Sequence, residues 1–204
     1  MKVGRSVKCV DFPCRDTRRA SYVVPEARVE PADISVLMIA EAAPENLADY
    51  YYAGVDALFA QTTVLAFQDA GVRVASIQDL LNRGVYLTTA VKCGKTAYGL
   101  ATATIENCSY LLEKEIALFP NVKAYLLMGD VAIKAVNAIA RRNREPRPIP
   151  PGSTYKIRGG EFIFRGGRAF PSYLQAGPSF FIEKSKRRMI AQDIAAAFEV
   201  AGIS

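Results

Sequence analysis

The sequence contains no histidine among its 204 residues. Imidazole is the side chain that most readily exchanges protons near neutral pH and a common metal ligand. Its absence excludes Ser-His-Asp and Cys-His catalysis, zinc sites of the zincin type, and histidine as a general acid. Any catalytic proton transfer or metal binding must therefore depend on other side chains.

Long apolar segments are also missing. No apolar run reaches the roughly 18 residues that a transmembrane helix needs, and the N-terminal residues MKVGRSVKCVDF lack the apolar core of a signal peptide. We therefore expect a cytoplasmic monomer that does not bind membranes. Length and composition predict one domain, residues 1–204, in which residues 1–33 form an irregular N-terminal arm.

Acidic residues are scarce in one part of the chain. Residues 141–188 contain 12 lysines and arginines against three acids, although the whole chain has a net charge of only +6. This asymmetry predicts a surface that faces a polyanion such as nucleic acid. A basic surface that is merely solvated remains the alternative.

Short apolar runs alternate with helical patterns along the chain. The predicted strands are 35–40, 72–77, 85–91 and 124–128, the last one before a Gly-Asp helix start; the predicted helices are 55–70, 102–118, 131–142 and 179–200. A break is expected at 92–94, and 154–164 resembles a β-hairpin. The alternation predicts an α/β fold, a three-layer α/β/α sandwich around a central, mainly parallel four-stranded sheet. Ligands of such sheets bind beyond the carboxyl ends of the strands, here after Ala40, Val91, Met128 and Phe170.

The four cysteines, Cys9, Cys14, Cys93 and Cys108, are candidate metal ligands. Their spacing is not that of a zinc finger, in which each half is a tight pair. Without histidine, a site of four soft ligands needs all four thiolates, which suits zinc or an iron–sulfur cluster. Four unrelated buried thiols fit the spacing equally well.

Five short segments occur in a characteristic order: IAEAAP (39–44), YLTTAVKC (86–93), YLLEKEI (110–116) just after Cys108, LLMGDVA (126–132) and FPSY (170–173). In this order they resemble the motifs of the uracil-DNA glycosylase superfamily, especially its iron–sulfur branches. The resemblance covers about residues 35–198 and the N-terminal cysteines. It implies DNA as the partner and a 4Fe–4S cluster held by the four cysteines, with zinc as the runner-up.

The resemblance also implies roles for individual residues. Glu41 would position water or oppose the positive charge on the sugar. Thr89 stands where relatives commonly have an Asn that binds uracil, and Phe170 where they have a His that hydrogen-bonds the leaving base. The implied base-binding residues are Tyr51, Tyr52, Phe170 and Ser172. The alternatives are a solvated acid or helix cap for Glu41, an ordinary strand residue for Thr89, and core packing for the tyrosines.

Basic residues near these motifs are the expected phosphate contacts: Lys92, Lys95, Lys156, Arg158, Lys184, Arg187 and Arg188. A solvated helix face is the alternative. The resemblance implies a DNA repair glycosylase that hydrolyses the N-glycosidic bond of a deaminated base, with uracil foremost. The second hypothesis is a catalytically inactive iron–sulfur module that binds nucleic acid. A plain redox protein would leave the basic segment unexplained.

Overall fold

Strands and helices alternate in the computed structural model, which describes residues 2–203. The strands are β1 (Thr17–Arg18), β2 (Val36–Ala43), β3 (Val85–Lys95), β4 (Ala124–Met128), β5 (Phe162–Phe164) and β6 (Gly167–Ser172). The helices are α1 (Leu58–Asp69), α2 (Ile77–Asn82), α3 (Thr102–Ile116), α4 (Asp130–Arg142), α5 (Thr154–Ile157), α6 (Ser179–Ile182) and α7 (Lys184–Ala201). Short 3-10 turns lie in the N-terminal arm and before α1.

The strands of the described chain form one sheet in the order β1-β3-β2-β4-β6-β5. The four inner strands are mutually parallel, whereas β1 and β5 pair antiparallel at the two edges. The predicted α/β fold with a parallel four-stranded core is therefore confirmed, with an antiparallel strand added at each edge.

Helices cover both faces of this sheet because the inner strands are apolar on both sides. In β2, Leu37 and Ile39 pack into the cluster that includes α3 and α4, whereas Val36 and Met38 pack into the cluster that includes α1 and α7. The arm adds four valines to the α3–α4 side: Val3, Val7, Val24 and Val29. Within residues 2–203, no helix has the length and apolar character to cross a bilayer.

The predicted break at 92–94 is a shift of register inside β3, which continues to Lys95. Ala42 of β2 pairs with Val91, and the next residue, Ala43, pairs with Gly94, so two residues of β3 lie outside the regular ladder. Gly94 must lack a side chain, since a Cβ there would lie 2.9 Å from the carbonyl oxygen of Pro44. Irregularities of this kind turn side chains away from the plain alternation of a strand.

The predicted strand 72–77 is wrong. Its last part begins α2, because the Ser76 hydroxyl accepts from the Asp79 N–H while the Asp79 carboxylate accepts from the Ser76 N–H. This capping box starts a helix where the apolar run alone predicted a strand. Residues 72–74 form an irregular connection instead.

The predicted hairpin over 154–164 is also misplaced. Residues 154–157 form α5, and β5 pairs with β6 across Arg165 and Gly166. Both turn residues have positive φ, 48° and 80°, as a two-residue hairpin turn requires. The predicted C-terminal helix likewise divides at Glu183, whose ψ of 70° separates α6 from α7.

Candidate active site and cysteine cavity

The carboxyl ends of β2 and β4 form a switch point, because the chain continues from β2 to β3 on one side and later reaches β4 on the other. Ligands of open α/β sheets bind at such points. Glu41 lies near the end of β2, and Gly129 follows β4 with φ of 97°. A Cβ on Gly129 would lie 2.6 Å from Glu41 Oε1. The glycine therefore leaves the space that the carboxylate occupies.

Glu41 forms an ion pair at this edge of the sheet. Its Oε2 accepts from Lys95 Nζ at 2.7 Å, and the two side chains are 16% and 28% exposed. Both residues line a cavity of about 700 Å³, whose wall also contains Tyr98, Lys134, Tyr173, Lys186 and Arg187. The pair thus presents a carboxylate and an ammonium group to one partly enclosed space.

Further cations at the rim of this cavity are paired with carboxylates: Lys134 with Asp130, Lys186 with Glu183, and Arg187 with Asp69. These pairs keep substantial exposure, so the strength of each ion pair is limited by water. A phosphate oxygen can compete for such cations. The rim therefore retains basic groups within reach of a polyanion.

Thr89 and Phe170 do not line this cavity. Thr89 is completely buried, and within residues 2–203 its hydroxyl has no hydrogen-bond partner. Phe170 is 7% exposed and packs in the α1–α7 core, with the guanidinium carbon of Arg168 5.3 Å from its ring centroid. Neither residue lines the cavity of Glu41, although Thr89 pairs in the sheet with Ala40, the residue before Glu41.

Tyr51 and Tyr52 pack within the domain. The Tyr51 hydroxyl accepts from Gln175 Nε2 at 3.1 Å, and burial raises the pKa of this tyrosine. The Tyr52 hydroxyl donates to the carbonyl oxygen of Leu87 at 2.9 Å. Both tyrosines contact the groove beside α1 and α2 and not the cavity of Glu41. This arrangement matches the packing alternative for these two residues.

Ser172, the remaining predicted base-binding residue, is also buried. Its hydroxyl donates to Asp193 Oδ2 at 2.6 Å, and Asp193 pairs in turn with Arg158 at 2.8 Å. Burial raises the pKa of Asp193 although both partners oppose the increase. This network fixes the end of β6 against α7, and it occupies Arg158, whose guanidinium also donates to the Met189 carbonyl. Arg158 is therefore engaged inside the protein and does not extend towards DNA.

The prediction that Lys92 contacts DNA is wrong. Its side chain is completely buried, where the ammonium group pairs with Glu115 and donates to Thr88 Oγ1 at 2.7 Å. A lysine in this position cannot reach a phosphate. Lys95 and Arg187 line the cavity, and three other predicted contacts are exposed: Lys156, Lys184 and Arg188.

The four cysteines surround a second cavity, of about 410 Å³. Cys9 and Cys14 come from the arm, Cys93 from the irregular part of β3, and Cys108 from α3. The backbone N–H of Lys92 donates to Cys108 Sγ at 3.2 Å. Burial, together with the neighbouring thiols, raises the pKa of Cys93 to about 12. Burial also raises the pKa of Cys108 to about 11, so these thiols keep their protons unless a cation replaces them.

The donor set of this cavity consists of four thiols, which are soft ligands. Among residues 2–203, no group of three or more thiol or carboxylate side chains is arranged as a site for a metal ion. A zinc ion requires four ligands at about 2.0–2.3 Å from one point. In a 4Fe–4S cluster each thiolate binds a different iron, so the sulfur atoms surround the group at a distance from one another. Four thiols around one cavity supply the number and the kind of ligands that either group requires.

The fold and this edge of the sheet define a class: α/β domains that bind a ligand where the strand order reverses. The chain belongs to the uracil DNA glycosylase superfamily, whose family model matches residues 29–193. One relative is the Type-5 uracil-DNA glycosylase of Thermus thermophilus, which is 26% identical over 125 residues. That alignment covers 61% of this chain and 54% of the relative, so the chain spans about half the length of the curated relative it matches.

The sequence predictions did not single out Tyr98, in the wall of the Glu41 cavity, or Asp16 of the N-terminal arm. Tyr98 and Asp16 belong to no motif, and Asp16 acts on Ala101, which lies 85 residues away along the chain. Only the folded chain brings them together. The Gly-Asp helix start after β4 did indicate the position of the site, because a strand, a glycine turn and a helix N-terminus together form an element that faces anions.

Proposed function

We propose that the chain is a DNA glycosylase that hydrolyses the N-glycosidic bond of a deaminated base, with uracil as the foremost substrate. The observation that carries this proposal is the Glu41–Lys95 ion pair in the cavity at the switch point of the sheet. Membership of the uracil DNA glycosylase superfamily supports it, as does the likeness to a Type-5 uracil-DNA glycosylase.

The reaction needs the target nucleotide outside the DNA helix, because the bond is inaccessible within the base stack. The cavity volume of about 700 Å³ lies in the usual range for small-molecule sites and can accept a flipped nucleotide. A water oxygen forms a bond to C1′ of the sugar while the bond from C1′ to the base nitrogen breaks. The electron pair of that bond leaves with the base, and the water proton is transferred to the leaving base or to solvent.

Glu41 and Lys95 supply the two charges that this reaction demands. As the bond breaks, the sugar becomes cationic and the base becomes anionic. A fixed carboxylate opposes the first charge and orients water, whereas an ammonium group donates a hydrogen bond to the second. Phe170 has no donor to offer the base, so Lys95 is the group to which we assign this role.

A second candidate function is an inactive module that binds nucleic acid. The positions of Thr89 and Phe170 favour it, because both are buried and neither lines the cavity that contains Glu41. The two candidates differ in one measurable product, the abasic site.

The deciding experiment is incubation of the protein with duplex and single-stranded DNA that contain uracil, hypoxanthine or xanthine, followed by alkaline cleavage. We expect strand breaks at uracil that require the protein. Binding to all these DNAs without any abasic site would support the inactive module. Binding in either case should weaken steeply as salt rises, because rim cations release counterions from phosphates.

We further propose that the cysteine cavity holds a 4Fe–4S cluster through Cys9, Cys14, Cys93 and Cys108. Such a cluster, when bound, cross-links the N-terminal arm to β3 and α3. This chain's own contribution is the set of four thiolates and the N–H donor of Lys92 on Cys108.

Replacing Cys93 by Ser should remove the visible absorption of the purified protein and its stoichiometric iron. The same change should lower the thermal stability, since the arm loses one of its links to the sheet. Absorption spectroscopy, iron and zinc analysis and a melting curve measure these outcomes. Native protein that is colourless and contains zinc would contradict the cluster assignment. Ser6→Ala, an exposed change in the same arm, is the matched control and should leave the spectrum unchanged.

A further inference from the structure

A fully exposed tyrosine, Tyr98, lies on the rim of the cavity that contains Glu41. Its side chain has a relative exposure of 102%, and it belongs to the loop of residues 96–101 that joins β3 to α3. One exposed aromatic residue is ordinary on a protein surface. The notable feature is how firmly its loop is held at both ends.

Asp16 of the N-terminal arm fixes both ends of this loop. At the start, the N–H of Thr96 donates to the backbone carbonyl of Asp16 at 3.1 Å. At the end, the N–H of Ala101 donates to Asp16 Oδ2 at 2.6 Å, and the hydroxyl of Thr104 donates to Oδ1. One residue of the arm therefore holds the loop that carries Tyr98.

The same carboxylate acts as the cap of α3. Ala101 occupies the N-cap position and has no side chain that can accept a hydrogen bond, so Asp16 takes this place from a distant part of the sequence. A negative charge is also favourable at a helix N-terminus. We call the three contacts of Asp16, with Thr96, Ala101 and Thr104, the Asp16 clasp. Because α3 carries Cys108 and the arm carries Cys14 two residues before Asp16, the clasp joins two elements that line the cysteine cavity.

We propose that the Asp16 clasp holds Tyr98 as a base-stacking element against DNA, so that an ordered cysteine cavity is a condition for tight DNA binding. The nature of the ligand rests on the proposed function. Every base has an aromatic face, and stacking on an aromatic side chain is tolerant of sequence. A loop that is already fixed loses little conformational freedom when it binds. Tyr98 therefore contributes most when Asp16 holds its loop.

The first test compares DNA affinity among tyrosine variants, all in a Glu41→Gln background so that the DNA stays intact during the measurement. With duplex DNA containing one uracil, Tyr98→Ala should weaken binding by about 5- to 100-fold, the range expected for loss of one base stack. Tyr98→Phe keeps the aromatic face and should stay within about threefold of the parent. Tyr155→Ala is the matched control, an exposed tyrosine on α5, and should also bind normally.

The second test examines the clasp. Asp16→Ala should weaken binding about as much as Tyr98→Ala, and the double variant should be little weaker than either, since both changes remove one element. Asp33→Ala, which changes an exposed acid elsewhere in the arm, should have no effect. Cys14→Ser should reproduce the Asp16→Ala defect. Chymotrypsin cleavage after Tyr98 should accelerate in both Asp16→Ala and Cys14→Ser, which reports a released loop independently of DNA.

The outcomes separate this proposal from the glycosylase assignment. If the protein removes no base but Tyr98→Ala and Asp16→Ala weaken DNA binding without additivity, the clasp stands and the glycosylase assignment fails. If the protein excises uracil while Tyr98→Ala binds DNA like its parent, the proposal is wrong. Fully additive effects of Asp16→Ala and Tyr98→Ala would overturn the coupling. Absorption spectra and melting curves of each variant show whether lost binding reflects a lost fold.

Discussion

Replacing Glu41 by Gln should lower the rate of uracil excision by about 100- to 1,000-fold, the usual loss when one preorganised electrostatic group is removed. Glutamine keeps the shape of the side chain and can still accept from Lys95, so the change removes the negative charge and little else. The ground-state complex has no cationic sugar. DNA affinity should therefore remain within about threefold of the wild type, while single-turnover excision slows.

Glu45→Gln is the matched control for this prediction. Glu45 lies four residues further along the chain, is largely exposed, and pairs with Arg18 at 2.6 Å outside the cavity. This variant should excise uracil at the wild-type rate. Equal rates for Glu41→Gln and the wild type would show that the carboxylate takes no part in catalysis. Equal losses of binding and of excision would instead indicate a role in holding substrate.

Lys95→Met tests the other member of the Glu41–Lys95 ion pair through the rate of uracil excision. It should also slow excision, because the leaving base loses its hydrogen-bond donor. The defect should be smallest with substrates whose leaving base is already stabilised by electron-withdrawing groups, such as 5-fluorouracil. Glu41→Gln should slow all substrates by a similar factor, since the sugar charge is common to them. This difference distinguishes the two roles.

The parallel core was predictable because each inner strand is a short, nearly continuous apolar run, and such runs fit a strand covered on both faces. The position of Glu41 followed from the same pattern, since it lies where the first run ends. The cysteines required the order of the motifs, because their spacing alone is compatible with unrelated thiols. In the fold, all four line one cavity.

The misplaced predictions each depend on a specific contact that the local composition does not show. Residues 72–77 have the composition of a strand, but the capping box at Ser76 starts a helix there. A lysine is usually a surface residue, but Lys92 is buried beside an acidic partner that lies 23 residues away on α3. Tyr51 and Tyr52 are amphipathic, so the sequence alone permits both a binding role and a packing role. A local capping contact decides the first case, and contacts between residues distant in the sequence decide the others.

The Lys92–Glu115 pair is the second place where a single substitution should have a large effect. Both side chains are essentially unexposed, and Glu115 also accepts hydrogen bonds from Tyr86 and Thr88. Removing one member of a buried pair leaves an uncompensated charge, which typically costs about 3–5 kcal/mol. Glu115→Gln should therefore lower the free energy of unfolding by about that amount, measured by urea denaturation with circular dichroism, because the chain lacks tryptophan.

The double variant Lys92→Met/Glu115→Gln tests the cause of that loss. Methionine fills the space of the lysine stem without a charge, and glutamine can still accept from Tyr86 and Thr88. The double variant should therefore be more stable than Glu115→Gln alone, although it carries one substitution more.

The control is Glu106→Gln, in the exposed pair with Arg141, which should lower the free energy of unfolding by less than about 1 kcal/mol. If the free energy of unfolding of the double variant falls by the sum of the two single losses, the unpaired lysine charge is not the cause of the loss in Glu115→Gln. Because Lys92 contacts Cys108 through its backbone N–H, the visible absorption expected of the proposed cluster should survive the double substitution.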